Sequence, residues 1–211
     1  MKKRSFPVVR ALCLLGFLAG ASCSNPIYNT PGAFDPYDVS AITVTPPSKR
    51  LYYWGEPLDL TRSSANIYYR GSDIEPKLDQ EIKSQHVSGF DSRKEGIQTI
   101  AVTIEGQSDY FDIALVAFKP NDDDKITMSL SSPNLEKTIS NELGCSWKLY
   151  IFESASRNVV KLNGNGQGGK SGSTGDISFN APSTAGDYII AVSFKKDGYT
   201  YNRFYKLSVS Q

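Results

Sequence analysis

From residue 41 onward, apolar and polar positions alternate with a period of two. Ile42 and Val44 flank Thr43 before the pattern stops at Pro46-Pro47, and Leu51-Tyr52-Tyr53-Trp54 runs into the turn residues Gly55-Glu56-Pro57. Ile67-Tyr68-Tyr69 ends at Arg70-Gly71-Ser72-Asp73. Ile100, Val102 and Ile104 fall on one face, Glu105-Gly106 marks a turn, and Phe111, Ile113 and Leu115 again share a face. Successive side chains of a strand point to opposite sides, so this alternation predicts half-buried strands joined by hairpins. No long segment with a 3.6-residue period competes. Short strands at this spacing over about 80 residues predict a small β-sandwich.

The second half of the chain echoes the first. Gly96, Ile100, Ala101, Val102, Thr103 and Ile104 recur at a constant displacement of 90 residues as Gly186, Ile190, Ala191, Val192, Ser193 and Phe194. Each copy is followed by a turn with glycine, Glu105-Gly106 or Asp197-Gly198, and then by a long last strand. In the second copy Tyr199, Tyr201, Tyr205, Leu207 and Val209 share a parity. The repeat predicts a second, diverged sandwich over residues 125–211. Between the two, Lys119-Pro120-Asn121-Asp122-Asp123-Asp124-Lys125 breaks the alternation, and residues 119–124 read as a linker. The expected fold class is therefore all-β, with two tandem sandwich domains.

The N-terminus follows a different rule. Met1-Lys2-Lys3-Arg4 is basic, Val8 to Ala21 is apolar apart from Arg10, and Gly20-Ala21-Ser22 are small. That is the pattern of an export signal over residues 1–22. Its apolar run is shorter than the roughly 20 residues that a membrane helix needs. Leu18-Ala19-Gly20-Ala21-Ser22-Cys23 resembles the bacterial lipobox, with Gly20 standing where leucine is usual. The resemblance implies lipidation of Cys23 and a membrane partner reached through that lipid. Each buried methylene contributes about 0.8 kcal/mol, so two or three acyl chains hold where one binds marginally. The alternative is a secreted protein with a cysteine near the cut. Residues 23–40, rich in proline and without periodicity, are expected to be a flexible tether.

Within residues 41–118 a further resemblance rests on two blocks in order. Ile42-Thr43-Val44 and Tyr53-Trp54-Gly55-Glu56-Pro57-Leu58-Asp59-Leu60 form the first, and Gly89-Phe90-Asp91-Ser92-Arg93-Lys94-Glu95-Gly96-Ile97-Gln98-Thr99-Ile100-Ala101-Val102-Thr103 the second. They are similar to the bacterial immunoglobulin-like domain of group 3, with its Y-x-x-G-E-x-L-D-L opening and its G-F-D-S-x-K-x-G-x-Q-T-V-x-V strand pair. The resemblance implies tandem immunoglobulin-like sandwiches of the kind found on envelope and surface proteins, without catalytic residues. On physical grounds Gly55 and Gly96 are expected to permit backbone turns, Phe90 to anchor a core, and Asp91-Ser92 to hydrogen-bond a turn locally.

Charge and composition narrow the function. Four of the 23 basic residues, Lys2, Lys3, Arg4 and Arg10, lie in the leader, which leaves 19 basic against 22 acidic residues. A net charge of about −3 argues against nucleic acid as a partner. The single histidine, His86, has no nucleophile motif beside it and reads as structural or surface-placed. Cys13 leaves with the leader and Cys23 is committed to lipid, so Cys145 remains as a small core residue, and each domain is expected to rely on its own apolar core. Gly164-Asn165-Gly166-Gln167-Gly168-Gly169-Lys170-Ser171 fits a phosphate-loop pattern, but Gly172-Ser173-Thr174-Gly175 cannot readily open the helix such a loop requires, so no nucleotide is expected. Asp122-Asp123-Asp124 could lend oxygens to calcium, yet a solvated acidic linker is the commoner use of such a run. No catalytic residue, cofactor or metal site is expected. Two functions stay open. One is a non-enzymatic, lipid-anchored envelope protein, periplasmic or surface-facing, that binds an envelope or host protein or acts as a spacer. The other is a carbohydrate-binding accessory lipoprotein whose exposed aromatics, Tyr52, Tyr53, Trp54, Tyr68 and Tyr69 or the tyrosines of the last strand, meet glycan rings.

Overall fold

Strands form where β-branched and aromatic residues alternate with polar ones, because such side chains fill a pleated surface. The computed structural model describes residues 35–117, 124–131, 135–162 and 168–211. Among these residues the regular elements are strands, with a 3-10 turn at Ser84–His86. The leader, Cys23, most of the tether and all but Asp124 of the linker lie outside the described residues.

In the first sandwich, β1 (Val39–Thr45), β3 (Ser64–Tyr69) and β4 (Lys77–Glu81) make an antiparallel sheet in that order. The sheet facing it has the order β2 (Leu51–Tyr53), β7 (Gln107–Val116), β6 (Gly96–Ile104) and β5 (Val87–Ser88), with β2 parallel to β7. Val39, Ile42, Ala65 and Ile67 from one sheet meet Tyr52, Ile100, Val102, Phe111, Ile113 and Leu115 from the other in a common core.

In the second sandwich, β11 (Lys170–Gly172), β10 (Ser146–Glu153), β13 (Gly186–Lys196), β14 (Tyr199–Ser210) and β8 (Lys125–Ser129) form a five-stranded sheet in that order, with β8 parallel to β14. Facing it among the described residues are two short strands, β9 (Glu136–Ile139) and β12 (Ile177–Asn180). Ile139, Ile177 and Phe179 of that pair close over Leu149, Ile151, Ile190, Val192, Leu207 and Val209. Cys145 is a buried member of the same core.

The internal echo is a structural repeat. The β6–β7 and β13–β14 hairpins close at Ile104 opposite Gln107 and at Lys196 opposite Tyr199. Both two-residue turns hold positive φ twice, 48° and 83° at Glu105-Gly106 and 52° and 83° at Asp197-Gly198. That is the type I′ geometry whose twist matches the flanking strands. The second copy is longer, since β13 has 11 residues and β6 has 9.

One expectation is corrected. The two halves do not rest on separate cores alone. Leu51, Ala114 and Val116 of the first half and Tyr150, Phe152, Ile189 and Ala191 of the second form a third buried cluster, joined by Tyr53, Ile97, Val159 and Phe204. The β2-β7-β6-β5 sheet and the five-stranded sheet therefore pack face to face, and Pro36–Gln211 makes one compact unit of four stacked layers. The C-terminal half of β7 and the middles of β10 and β13 are buried on both faces, which is why Ile113-Ala114-Leu115-Val116, Leu149-Tyr150-Ile151-Phe152 and Ile189-Ile190-Ala191-Val192 are continuous apolar runs.

Candidate functional site

Two places on the described surface gather polar side chains: the seam between the inner sheets and the open end of the second sandwich. At the seam, Asp112 is 5 % exposed, so its carboxylate needs partners from the protein. Strand alternation points Phe111 and Ile113 into the first core and Asp112 outward, toward β10. One carboxylate oxygen accepts from Thr99 Oγ1 at 2.6 Å, and the other accepts from Lys148 Nζ at 2.7 Å and Tyr150 Oη at 2.9 Å. Buried Arg50 donates from Nη1 to the Asp112 carbonyl at 3.4 Å and lies 6.0 Å from the Tyr150 ring. Burial lowers the Arg50 pKa from its ordinary value, with the nearby Tyr150 and Asp112 pulling the other way.

A second polar clasp joins the halves farther along. Arg157 Nη1 donates to both Glu56 carboxylate oxygens at 2.6 and 2.7 Å, and its guanidinium lies 4.8 Å from the Tyr53 ring. The Arg157 carbonyl accepts from the Arg50 and Leu51 N–H groups at 3.1 and 3.3 Å. Burial by itself raises the Glu56 pKa, but hydrogen bonds from Arg157 and the Tyr53 N–H, with the charge of Lys49, outweigh it and leave the group below its ordinary 4.5. With each carboxylate engaged by donors, the seam is built to hold two sheets in register.

Several residues singled out in the sequence belong to this architecture. Gly96, expected in a turn, is instead the first residue of β6, and a Cβ there would overlap the Asn202 amide, so this glycine lets the two halves approach. Gln98, 6 % exposed, accepts from the Asp91 N–H at 2.8 Å and donates to the carbonyls of Asp91 and Lys94, fixing the turn before β6. Asp91 also accepts from the Arg93 N–H at 2.9 Å. Phe90 packs edge-on against Tyr52, centroids 5.7 Å apart. His86 accepts from the Lys83 N–H through Nδ1 at 3.2 Å and closes the 3-10 turn.

The glycine-rich stretch is described from Gly168 onward. A Cβ on Gly169 would sit 2.4 Å from Tyr150 Cε1, so this glycine gives Tyr150 room to reach Asp112. Lys170 opens strand β11, and its Nζ donates to the Ser178 carbonyl at 3.0 Å. Asp124 of the acidic run is exposed, and the remainder of that run lies outside the described residues. Among the described residues no group of three or more His, Cys, Asp or Glu side chains is placed to hold a metal ion, and no helix is long and apolar enough to cross a membrane.

The expected aromatic platform of the first half is corrected. Tyr52 is fully buried, and its hydroxyl bonds the Lys49 and Asp59 carbonyls at 3.1 and 3.2 Å; burial pushes its pKa up to about 12. Tyr53 lies beneath Arg157, and only Trp54 of that run is well exposed. The last strand differs. Tyr205, Leu207 and Val209 enter the second core, whereas Tyr199 and Tyr201, of the same parity, run past its end and are 70 % and 49 % exposed. The two-stranded layer opposite is too short to cover them. A groove of about 470 Å³ opens there, lined by Ser140, Glu142, Leu143, Phe194, Tyr201 and Arg203 among others.

No family profile and no curated protein matches the chain. Among solved structures, the titin immunoglobulin tandem domains A164–A165 align with 81 % of this chain and 97 % of theirs, at 14 % identity and a TM-score of 0.23. A likeness that low has no bearing on how the halves are arranged.

Proposed function

We propose that the chain is a lipid-anchored bacterial envelope protein, held to a membrane through Cys23, whose paired immunoglobulin-like sandwiches serve as a non-enzymatic protein-binding or spacer module. The observation that carries the reading is the seam. A third apolar core and two polar clasps tie the sandwiches into one body, so a partner bound at one end is held at a set distance and orientation from the other. The motif residues Gly96 and Gln98 serve packing and a turn, which fits the group 3 immunoglobulin-like resemblance and its lack of catalytic roles. Detergent phase partition of the native chain and of Cys23→Ser tests the anchor. The native chain enters the detergent phase with an acylated first residue by mass spectrometry, and the variant moves to the aqueous phase. A variant that stays with detergent overturns the anchor.

A further inference from the structure

We infer that the groove at the open end of the second sandwich is a binding site for a neutral saccharide. It arises from a mismatch between layers. The β13–β14 hairpin extends beyond the short β9–β12 pair, so among the described residues no strand covers the inner face of its far end. Register places Lys196 beside Tyr199, Phe194 beside Tyr201 and Val192 beside Arg203, all on the side that faces the second core. Phe194 is 4 % exposed and forms the floor, and the segment Ser140–Leu143 forms a wall that Lys196 Nζ braces with a 3.3 Å hydrogen bond to the Leu143 carbonyl.

The chemistry on offer suits a sugar ring. Tyr201 brings an aromatic face, which packs on the apolar C–H face of a pyranose, and a hydroxyl for one of its oxygens. Arg203 presents a planar set of donors and Glu142 a pair of acceptors, the combination that grips neighbouring hydroxyls, each of which both donates and accepts. Neither side chain forms an ion pair or hydrogen bond among the described residues, and the same holds for the Ser140, Tyr199 and Tyr201 hydroxyls, so their donors and acceptors can turn to a ligand. Glu142 and Arg203 offset one another in the lining, and the Lys196 ammonium is turned onto the Leu143 carbonyl, so the groove offers no cluster of like charge to an acidic or basic ligand and suits a neutral polyol. A protein segment would want a dry apolar pocket at its centre. Here the apolar floor is small and the rim polar, so the saccharide is the better fit. The site lies wholly in the second sandwich and does not depend on the lipid anchor.

The test is NMR and calorimetric titration of the chain from residue 24 with four neutral probes, cellohexaose, maltohexaose, mannohexaose and chitohexaose. Binding of at least one probe is expected, with resonance shifts centred on Tyr201, Arg203 and Glu142. Tyr201→Ala and Arg203→Ala each weaken it by about tenfold, the loss of one good contact. Trp54→Ala, in the other half, leaves affinity unchanged, and melting temperature shows that all variants are folded. Silence with all four probes overturns the proposal. So does binding that survives both substitutions, or binding confined to an acidic glycan such as polygalacturonate or to a protein partner.

Discussion

Asp112 shows how one position in a strand can be read two ways. In Phe111-Asp112-Ile113 it takes the polar place of an alternating pattern, which normally faces water. In the folded chain that place faces the other half, and three donors surround the carboxylate. Removing it leaves Tyr150 and Thr99 without their acceptor at a buried seam. Asp112→Ala is therefore expected to cost about 2–4 kcal/mol in chemical denaturation, toward the lower end because Lys148 is 46 % exposed and rehydrates. Gly96 offers a sharper case. Gly96→Ala meets both the Asn202 amide and a φ of +116°, whereas Gly106→Ala meets only its φ of +83° and no atom within 4 Å. We expect Gly96→Ala to lose about 1–3 kcal/mol more than Gly106→Ala, with Asn202→Ala restoring part of the difference in a double-mutant cycle. A cycle with no coupling would place the clash elsewhere. That residue 96 needs a glycine backbone was legible in the sequence, but as a turn residue and not as the start of a strand; its neighbour across the seam was not legible, because no local pattern records which chain segment arrives from outside.

At the scale of elements, the hairpins were the most legible feature. Glycine after an acidic residue between two alternating runs states a turn, and both turns adopt the same two positive φ values. The first residue of a type I′ turn favours Asn over Glu, since a short amide tolerates the left-handed region better. Glu105→Asn is accordingly expected to stabilise the chain by about 0.5–1 kcal/mol, seen as a rise of about 1–4 °C in Tm. An unchanged or lower Tm would mean that the turn contributes little to the measured unfolding. Less legible were β4 and β5, which carry few apolar residues. β4 is exposed throughout, and Asp79 takes a positive φ of 50° near a register irregularity, so hydropathy gives it no signal. An irregular, charged edge of this sort also discourages unwanted strand pairing.

At the scale of the whole molecule, stability should belong to both halves together. Separating them would expose Leu51, Val116, Tyr150, Phe152 and Ile189, and each large apolar side chain brought into water costs about 1.5–3 kcal/mol. Calorimetry of the chain from residue 24 is expected to show one cooperative transition, and Phe152→Ala to lower it by about 3–5 kcal/mol or split it in two. Two transitions in the unaltered chain would show that the seam is weak. The Glu56–Arg157 clasp adds a pH dependence. Its folded-state pKa is below the ordinary 4.5, so the folded chain binds fewer protons than the unfolded one. The stability it contributes is complete above that ordinary value and is lost as the pH falls through the lowered one. Glu56→Gln should therefore flatten the acid limb of a stability-against-pH curve and leave its slope near neutrality unchanged.

Alternation, turn chemistry and an internal echo, all local, were enough by themselves to determine that the chain is built of strands, where its two long hairpins turn, and that the last hairpin of one half returns in the other. Tertiary structure alone decided what lies against the second face of each inner strand. A period of two says which residues share a side, but whether that side meets water or another sheet depends on partners far away in the chain. For that reason a polar Asp112 came to be buried, a platform tyrosine became core, and the tyrosines beyond the shorter layer were left beside an open groove.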